Sequence, residues 1–369
     1  MSYVHMTLGS LFDGIGGWQL AAVHTGIVPI WSSEIDSYPA AVTAYHFPKT
    51  KQLGDITKID GAQIEPVDII CAGSPCQNLS QAGNRKGLQG AESSLFYESI
   101  RIVKEMKEKT YGKYPKFFVW ENVPGAFNSN NGEDFKAVLE SITEASIPIP
   151  RYGKWAPAGM VVFSKGSLAW RVLDAEYWGV PQRRKRIFLV ADLNSSGERA
   201  AKILFDTESV PGDIETSGGT QKTASFASTE STRKTSDLLK LYDMTHADEV
   251  IRPMHGNKVN CLNSRMGTGG NQIPVLHYEN SRDKNTIRKL TPTECERLQG
   301  LPDGYTDIIF RGKPAADSKK YKTIGNGMAQ PCADYILARI VSVHDKEEHK
   351  KEEKRNACWK FRCSREVRT

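Results

Sequence analysis

Several scarcities in this 369-residue chain each narrow the class of protein. No apolar run reaches the roughly 20 residues that a bilayer-spanning helix needs, so no membrane segment is expected. The amino-terminal stretch M-S-Y-V-H-M-T has no basic segment followed by an apolar one, so no export signal is expected. The seven cysteines (71, 76, 261, 295, 332, 358 and 363) form no C-x-x-C pair. A disulfide framework is therefore not expected, and a reducing, cytoplasmic setting fits. No cluster of His, Cys and Asp suggests a metal. Charge imbalance is also scarce: 49 basic against 43 acidic residues leave +6. Most of that excess lies in 346–369, with nine Lys/Arg and five Asp/Glu; 193–287 holds eleven basic and twelve acidic residues. The total alone is poor support for a polyanionic partner.

What is present is a globular composition, 39% hydrophobic and 25% charged, in a chain long enough for two domains. The stretch Cys71 to Gln77 reads C-A-G-S-P-C-Q and follows the apolar run Val67-Asp68-Ile69-Ile70. That pattern predicts a buried strand entering a tight turn, with Gly73 and Ser74 permitting it and Pro75 stiffening it. Such a turn presents Cys76 at the carboxyl end of a strand, the edge where open α/β sheets bind ligands. Cys76 is thus a candidate nucleophile, while Cys71, inside the apolar strand, is expected to be inert.

Upstream, a strand over Thr7 to Phe12 runs into D-G-I-G-G (13–17) and a helix through Trp18, Ala21 and Ala22. Strand, glycine turn and helix let a backbone approach a nucleotide-like cofactor. The next strand, Val28 to Ser33, ends in Glu34, twenty residues beyond Gly14, where an acid can accept from ribose hydroxyls. These features favour a ribose-bearing cofactor without separating a nicotinamide from S-adenosylmethionine. Asp55 could reach an adenine amino group or merely cap Thr57 onward.

Downstream, Gln77 to Ser94 is polar and aperiodic, a length that is more often functional than idle. Leu95, Phe96, Ile100, Val103 and Met106 mark a helix face. Phe117 to Trp120 runs into Glu121-Asn122-Val123-Pro124, where Glu121 is either a site carboxylate or a turn-stabilising acid. Asp134 to Ile142 reads as helix, and Trp170–Asp174 and Arg186–Ala191 as strands. Between those strands, Gln182-Arg183-Arg184-Lys185-Arg186 leads cations into a buried segment, which would fix Arg184 and Arg186 near an anion. Residues 207–236, rich in Ser, Thr and Gly, read as loops or a linker. Ser264 to Pro274 is a glycine-rich loop with Arg265, Asn271 and Gln272, suited to base edges or simply a turn cluster. Thr291-Pro292-Thr293-Glu294 is a capping box. A last helix is expected from Met328 to Val343, followed by a frayed or disordered tail.

In order, the chain carries F-D-G-I-G-G, S-E-I-D, G-D-I-T, G-S-P-C-Q, V-W-E-N-V, Q-R-R-K-R, R-K-L-T-P-T-E-C-E-R-L-Q-G-L-P and G-N-G-M. This order resembles the bacterial and phage DNA (cytosine-5) methyltransferases over residues 7 to 340, apart from 193–287. The resemblance implies an α/β fold: a doubly wound, Rossmann-like S-adenosylmethionine-dependent domain over 1–192, completed by 311–345. A smaller target-recognition domain over 193–310 and a charged tail over 346–369 would follow. It implies cofactor contacts at Phe12, Gly14, Ile15, Gly16, Gly17, Glu34, Ile35, Asp55, Ile56 and Asn326. Catalysis would fall to Cys76 as nucleophile, Glu121 at cytosine N3, and Arg184 and Arg186, with Arg184 on the O2 side. DNA contacts are expected at Gln77, Ser80, Arg265 and Asn271. Two departures are Gly327, where the family more often has serine, and Asp13, where a smaller residue is common.

The implied chemistry is transfer of a methyl group to C5 of a flipped-out cytosine through a Cys76–C6 bond. The implied partner is double-stranded DNA, with a cognate restriction endonuclease where such a pair operates. A monomer without metal is expected, in a bacterial cell or encoded by a phage. An RNA (tRNA) cytosine-5 methyltransferase on the same scaffold is the alternative, since one family branch acts on tRNA. A nicotinamide dehydrogenase would leave Cys76, Glu121 and the arginines without roles. An amino-methylating enzyme is disfavoured because no N/D-P-P-Y/F/W tetrapeptide occurs.

Overall fold

The computed structural model describes residues 5–74, 94–195, 197–205, 239–243, 252–253, 258–268, 274–278 and 286–366. β1 (Thr7–Leu11) leads through the glycine turn into α1 (Gly17–His24), then β2 (Val28–Ser33), α2 (Ser37–His46) and β3 (Lys51–Gln52). β4 (Ile69–Ala72), α3 (Ser94–Lys109), β5 (Phe117–Asn122) and α4 (Glu133–Thr143) follow. β6 (Ala158–Phe163), β7 (Gly166–Asp174), β8 (Gln182–Arg183) and β9 (Lys185–Asp192) come next.

One eight-stranded sheet has the order β3-β2-β1-β4-β5-β9-β7-β6. Its first five strands are parallel and reverse direction of winding at β1 and β4, as a doubly wound half does. The other three depart from that expectation: β9 is antiparallel to both β5 and β7, and β6 is antiparallel to β7. The reason is chain length. Only residues 175–184 separate β7 from β9, too few for the dozen or more that a parallel crossover requires. This inversion matters for the site, because it brings the beginning of β9 to the edge where β5 ends.

The sheet is buried on both faces, which is why its central strands read as unbroken apolar runs. Phe118, Trp120, Ile187 and Leu189 face Phe96, Phe135 and Trp170 on one side. Phe117, Val119, Phe188 and Val190 face Trp18, Ile336, Leu337 and Ile340 on the other. Cys71 sits in that second layer, fully buried, and burial pushes its thiol well above the usual range.

Past α5 (Arg199–Phe205) come β10 (Leu239–Asp243), β11 (Arg252–Pro253), β12 (Val259–Asn260), β13 (Val275–Tyr278) and β14 (Thr286–Lys289). Four of them form a separate antiparallel sheet, β11-β10-β13-β14, while β12 pairs in parallel with β8. α6 (Pro292–Gln299) carries the expected capping box and ends at Gly300, whose φ is 76°. β15 (Ile309–Phe310), β16 (Lys313–Pro314), α7 (Asp317–Asn326) and α8 (Gln330–Glu366) complete the chain.

Three expectations shift. The Gly325-Asn326-Gly327 stretch closes α7 instead of opening the last helix. α8 runs 37 residues to Glu366, so the charged stretch after Lys346 continues the helix. Its Lys and Glu residues are good helix formers and pair along one face, as Lys351 does with Glu348 at 2.6 Å. The Ser264–Pro274 stretch starts as a short 3₁₀ helix, Ser264–Thr268, packed on α7. A Cβ at Gly267 would lie 2.3 Å from the Ser318 carbonyl oxygen, so only glycine permits that approach. The 207–236 stretch lies outside the described residues.

Candidate active site

The parallel half places the carboxyl ends of β1, β2 and β3 along one edge, and the expected cofactor residues gather there. Phe12 takes a left-handed φ of 54°, and Gly14 and Gly16 follow at 58° and 83°. A Cβ on Gly16 would press to 2.8 Å from Phe47, whereas one on Gly14 would meet nothing within 4 Å. Gly14 therefore opens onto space that a ligand can fill. The Glu34 carboxylate holds the turn: Gly14 N donates to Oε2 at 2.8 Å and Asp36 N to Oε1 at 2.7 Å. Burial raises the Glu34 carboxyl above its ordinary range, against these backbone donors.

Ile35 is 78% exposed, an apolar wall beside that carboxylate. Asp55 chooses the capping alternative, accepting from Thr57 N at 3.0 Å and from its hydroxyl at 2.8 Å. Ile15 and Ile56 turn their side chains into the core, and Gly17 begins α1. Asn326 is exposed at the end of α7. An open glycine cradle, a carboxylate with spare lone pairs and an exposed apolar wall fit the ribose and base of an adenosyl group.

Beneath the turn lies Asp13, 4% exposed, with Gln19 Nε2 donating to Oδ2 at 2.7 Å. Burial pushes its carboxyl up to about 6.

The second half of the site is assembled by β4, β5 and β9. Trp120 Nε1 donates to Ser74 Oγ at 2.9 Å, and Asn122 Nδ2 to the Ser74 carbonyl at 3.3 Å. Those bonds pin the turn that leads to Pro75 and Cys76 against β5. A Cβ on Gly73 would lie 3.6 Å from Glu121 Oε2, so the turn and this carboxylate are neighbours. Glu121 pairs with Arg186, Nε to Oε1 at 3.1 Å, both side chains about 15% exposed. Cys76, Gln77, Ser80 and Asn271 lie outside the described residues.

Arg184 departs from its expected place at a base. It is 2% exposed, and its guanidinium donates to the carbonyls of Leu262 at 2.7 Å, Gly325 at 3.3 Å and Gly327. Burial, with Arg186 nearby, lowers its pKa to about 10. Arg184 is a strut: it immediately precedes β9, and its side chain runs inward to these carbonyls. Arg186, two residues on, meets the anion that the cation run was expected to find.

Other residues brace the site without a role read from the sequence. Gln182 is fully buried, donating to Leu298 O at 2.9 Å and accepting from Leu262 N at 3.0 Å. Tyr305 donates its hydroxyl to Ile15 O at 2.8 Å and so braces the glycine turn from 290 residues away. Arg265 is exposed on the short helix against α7. Among the described residues no group of three or more His, Cys, Asp or Glu is placed to hold a metal, and no helix is long and apolar enough to cross a membrane.

A parallel half-sheet with a glycine turn and an acid after its second strand defines an α/β enzyme that uses an adenosyl cofactor. The C-5 cytosine-specific DNA methylase profile matches residues 6–342, and the chain belongs to that family. The family uses S-adenosylmethionine as methyl donor. The type II methyltransferase M.HpaII of Haemophilus parainfluenzae is 29% identical over 362 residues, covering 92% of this chain and 91% of its own. M.HhaI of Haemophilus parahaemolyticus is 28% identical, covering 90% and 93%. A relative from Escherichia phage P1 named a DNA N-6-adenine-methyltransferase is 26% identical over 90% of this chain; the match spans 60% of that protein's length. Among solved structures, the Dnmt2 methyltransferase of S. pombe superposes with a TM-score of 0.61 at 14% identity, covering 92% of this chain and 99% of its own, a likeness of fold.

Proposed function

We propose that this enzyme methylates C5 of a flipped-out cytosine in a specific duplex DNA sequence, through a covalent bond between Cys76 and C6. The observation that carries this reading is the meeting of Glu121, Arg186 and the pinned Gly73–Ser74 turn at one sheet edge, with Cys76 two residues beyond Ser74. Cytosine C5 is too weak a nucleophile to take a methyl group directly. Addition of the Cys76 thiolate to C6 makes C5 enamine-like. Glu121, sharing a proton with N3, stabilises the negative charge that addition drives into the ring. Arg186 takes the O2 role first expected of Arg184, donating from beside Glu121. S-adenosylmethionine, when held by Glu34 and the glycine turn, supplies the electrophilic methyl. Loss of the C5 proton to water and elimination of Cys76 then restore the aromatic ring.

The separate β11-β10-β13-β14 sheet supports a recognition unit within the expected 193–310, beside a catalytic unit over 1–192 completed by 311–345; α5 and Leu301–Ile308 pack instead with the catalytic core, against Phe188 and Ile15 respectively. Arg265 and Asn271 are the recognition candidates. The enzyme is read as a monomer without metal, alone or beside a cognate restriction endonuclease. The adenine-methylating reading suggested by the phage P1 relative's name lacks the proline-rich tetrapeptide and leaves Cys76 idle.

Duplex DNA carrying 5-fluorocytosine tests the mechanism, because fluorine cannot leave as a proton does. A stable adduct that needs S-adenosylmethionine and maps to Cys76 is expected. Cys71→Ser should still form it and Cys76→Ser should not. Glu121→Gln should slow it roughly 10²–10⁴-fold. DNA mapped to Cys71, or methyl groups found on adenine or preferentially on tRNA, would overturn the assignment.

A further inference from the structure

A cysteine outside every motif lies against Arg184 and Arg186, at the entry to β9. Cys261 follows β12, whose Val259 and Asn260 pair in parallel with Gln182 and Arg183 of β8. Its sulfur accepts from Arg184 Nη1 at 3.1 Å and lies 3.7 Å from Arg186 Nη2. Its own hydrogen points elsewhere, toward the Leu262 carbonyl at 3.3 Å. The sulfur lone pairs therefore face two guanidiniums that repel each other. Arg184 keeps three carbonyl partners without the sulfur. Arg186 sits at the partly open end, paired on its Nε side with Glu121.

We propose that Cys261 is a positioning residue for methyl transfer: its sulfur bridges Arg184 and Arg186 and so sets the angle at which Arg186 meets Glu121. The bridge spans the two parts of the chain. Cys261 belongs to the segment that carries Arg265 four residues later, and Arg186 belongs to the catalytic sheet. Seating of the 258–268 segment on DNA is thereby felt at the base-binding pair. A sulfur acceptor is weak, so the bridge contributes alignment more than affinity. Misalignment of about 1 Å at such a pair costs about a hundredfold in rate. The inference rests on the assignment of Glu121 and Arg186 to the target base.

Steady-state kinetics on the full chain with duplex DNA test it, using Cys261→Val, which fills the volume without an acceptor, and Cys261→Ser, which keeps donor and acceptor. Cys261→Val is expected to lower kcat about ten- to a hundredfold, with KM for DNA and for S-adenosylmethionine within about twofold and an unchanged melting temperature. Cys261→Ser should recover most of kcat. In an Arg186→Lys background, Cys261→Val should have little further effect, because partners acting through one another are not additive. Full kcat in Cys261→Val, a loss confined to KM for DNA, or equal damage by serine and valine would overturn the inference. Glu121→Gln run in parallel separates the two claims. If it retains full rate, the base-binding assignment itself is wrong; if it fails while Cys261→Val does not, only the bridge is.

Discussion

The two ends of the sheet edge are built on opposite plans. The cofactor end draws mostly on residues 12 to 56, each strand supplying its own turn and Glu34 reaching back to Gly14, with the Tyr305 hydroxyl bracing Ile15 from afar. The base end draws Ser74, Glu121, Arg186, Cys261 and Gly327 from four elements and a return from the far end of the chain. The first is shaped chiefly by local backbone geometry, glycines at positive φ and an acid at a strand end. The second depends on long-range pairing: β9 has to enter antiparallel, and a buried guanidinium has to find carbonyls as far away as Gly327. One end is mostly local with a few distant braces, and the other is assembled from distant segments.

The largest effect should come from breaking the coupled end. Arg184→Met keeps volume but leaves the Leu262, Gly325 and Gly327 carbonyls without their donor, and should lower stability by roughly 2–5 kcal/mol. Arg186→Met, at a half-open position, should melt within about 1 kcal/mol of the parent. Denaturant titration of both variants decides. A parent-like Arg184→Met that has lost only activity would return Arg184 to the base.

At the local end, Asp13 predicts a pH signature. Its carboxyl titrates near 3.8 when unfolded and at about 6 in the fold. Between those values the folded chain keeps a proton that the unfolded chain has released. Stability therefore falls as pH rises through this window and stays lower above it, by on the order of 3 kcal/mol. Asp13→Asn should abolish that fall, as unfolding curves at pH 4.5 and 7.5 would reveal; an unaltered slope would refute the assignment. The smaller effect at this end belongs to Glu34→Ala. It should weaken S-adenosylmethionine binding by about 1–3 kcal/mol in calorimetry, with the turn losing the acceptor of Gly14 N. Unchanged binding would remove Glu34 from the cofactor site.

This contrast also explains what could be read from the residues alone. The glycine turn, Glu34, the capping box at Thr291 and the burial of Cys71 were legible because each depends on neighbours in sequence. The strand positions at 170–174 and 186–191 were legible from apolar runs, but their direction was not, since it follows from the ten-residue connection between β7 and β9. Arg184 and Arg186 look alike as letters and, two residues apart, share a side of the extended chain; only the distant carbonyls of Leu262, Gly325 and Gly327 assign Arg184 to the interior and leave Arg186 to Glu121. Tyr305 and Cys261 left no trace because the partners that matter lie 75 to 290 residues away, and Gln182 stood in the Q-R-R-K-R run with no role assigned because its partners, Leu262 and Leu298, are as distant. Cys76, Gln77, Ser80 and Asn271 stand on sequence alone.

The Arg184 strut sets a timetable for the chain as it is made. Its guanidinium cannot find its last acceptor until Gly327, 143 residues later, has left the ribosome. At roughly 5–20 residues per second, that is about 7–30 s after Arg184 itself emerges. The cofactor turn can close on its own strands long before. A nascent or truncated chain ending short of α7 would thus hold a formed glycine turn beside an unassembled base end, and methylation would begin only with the finished protein.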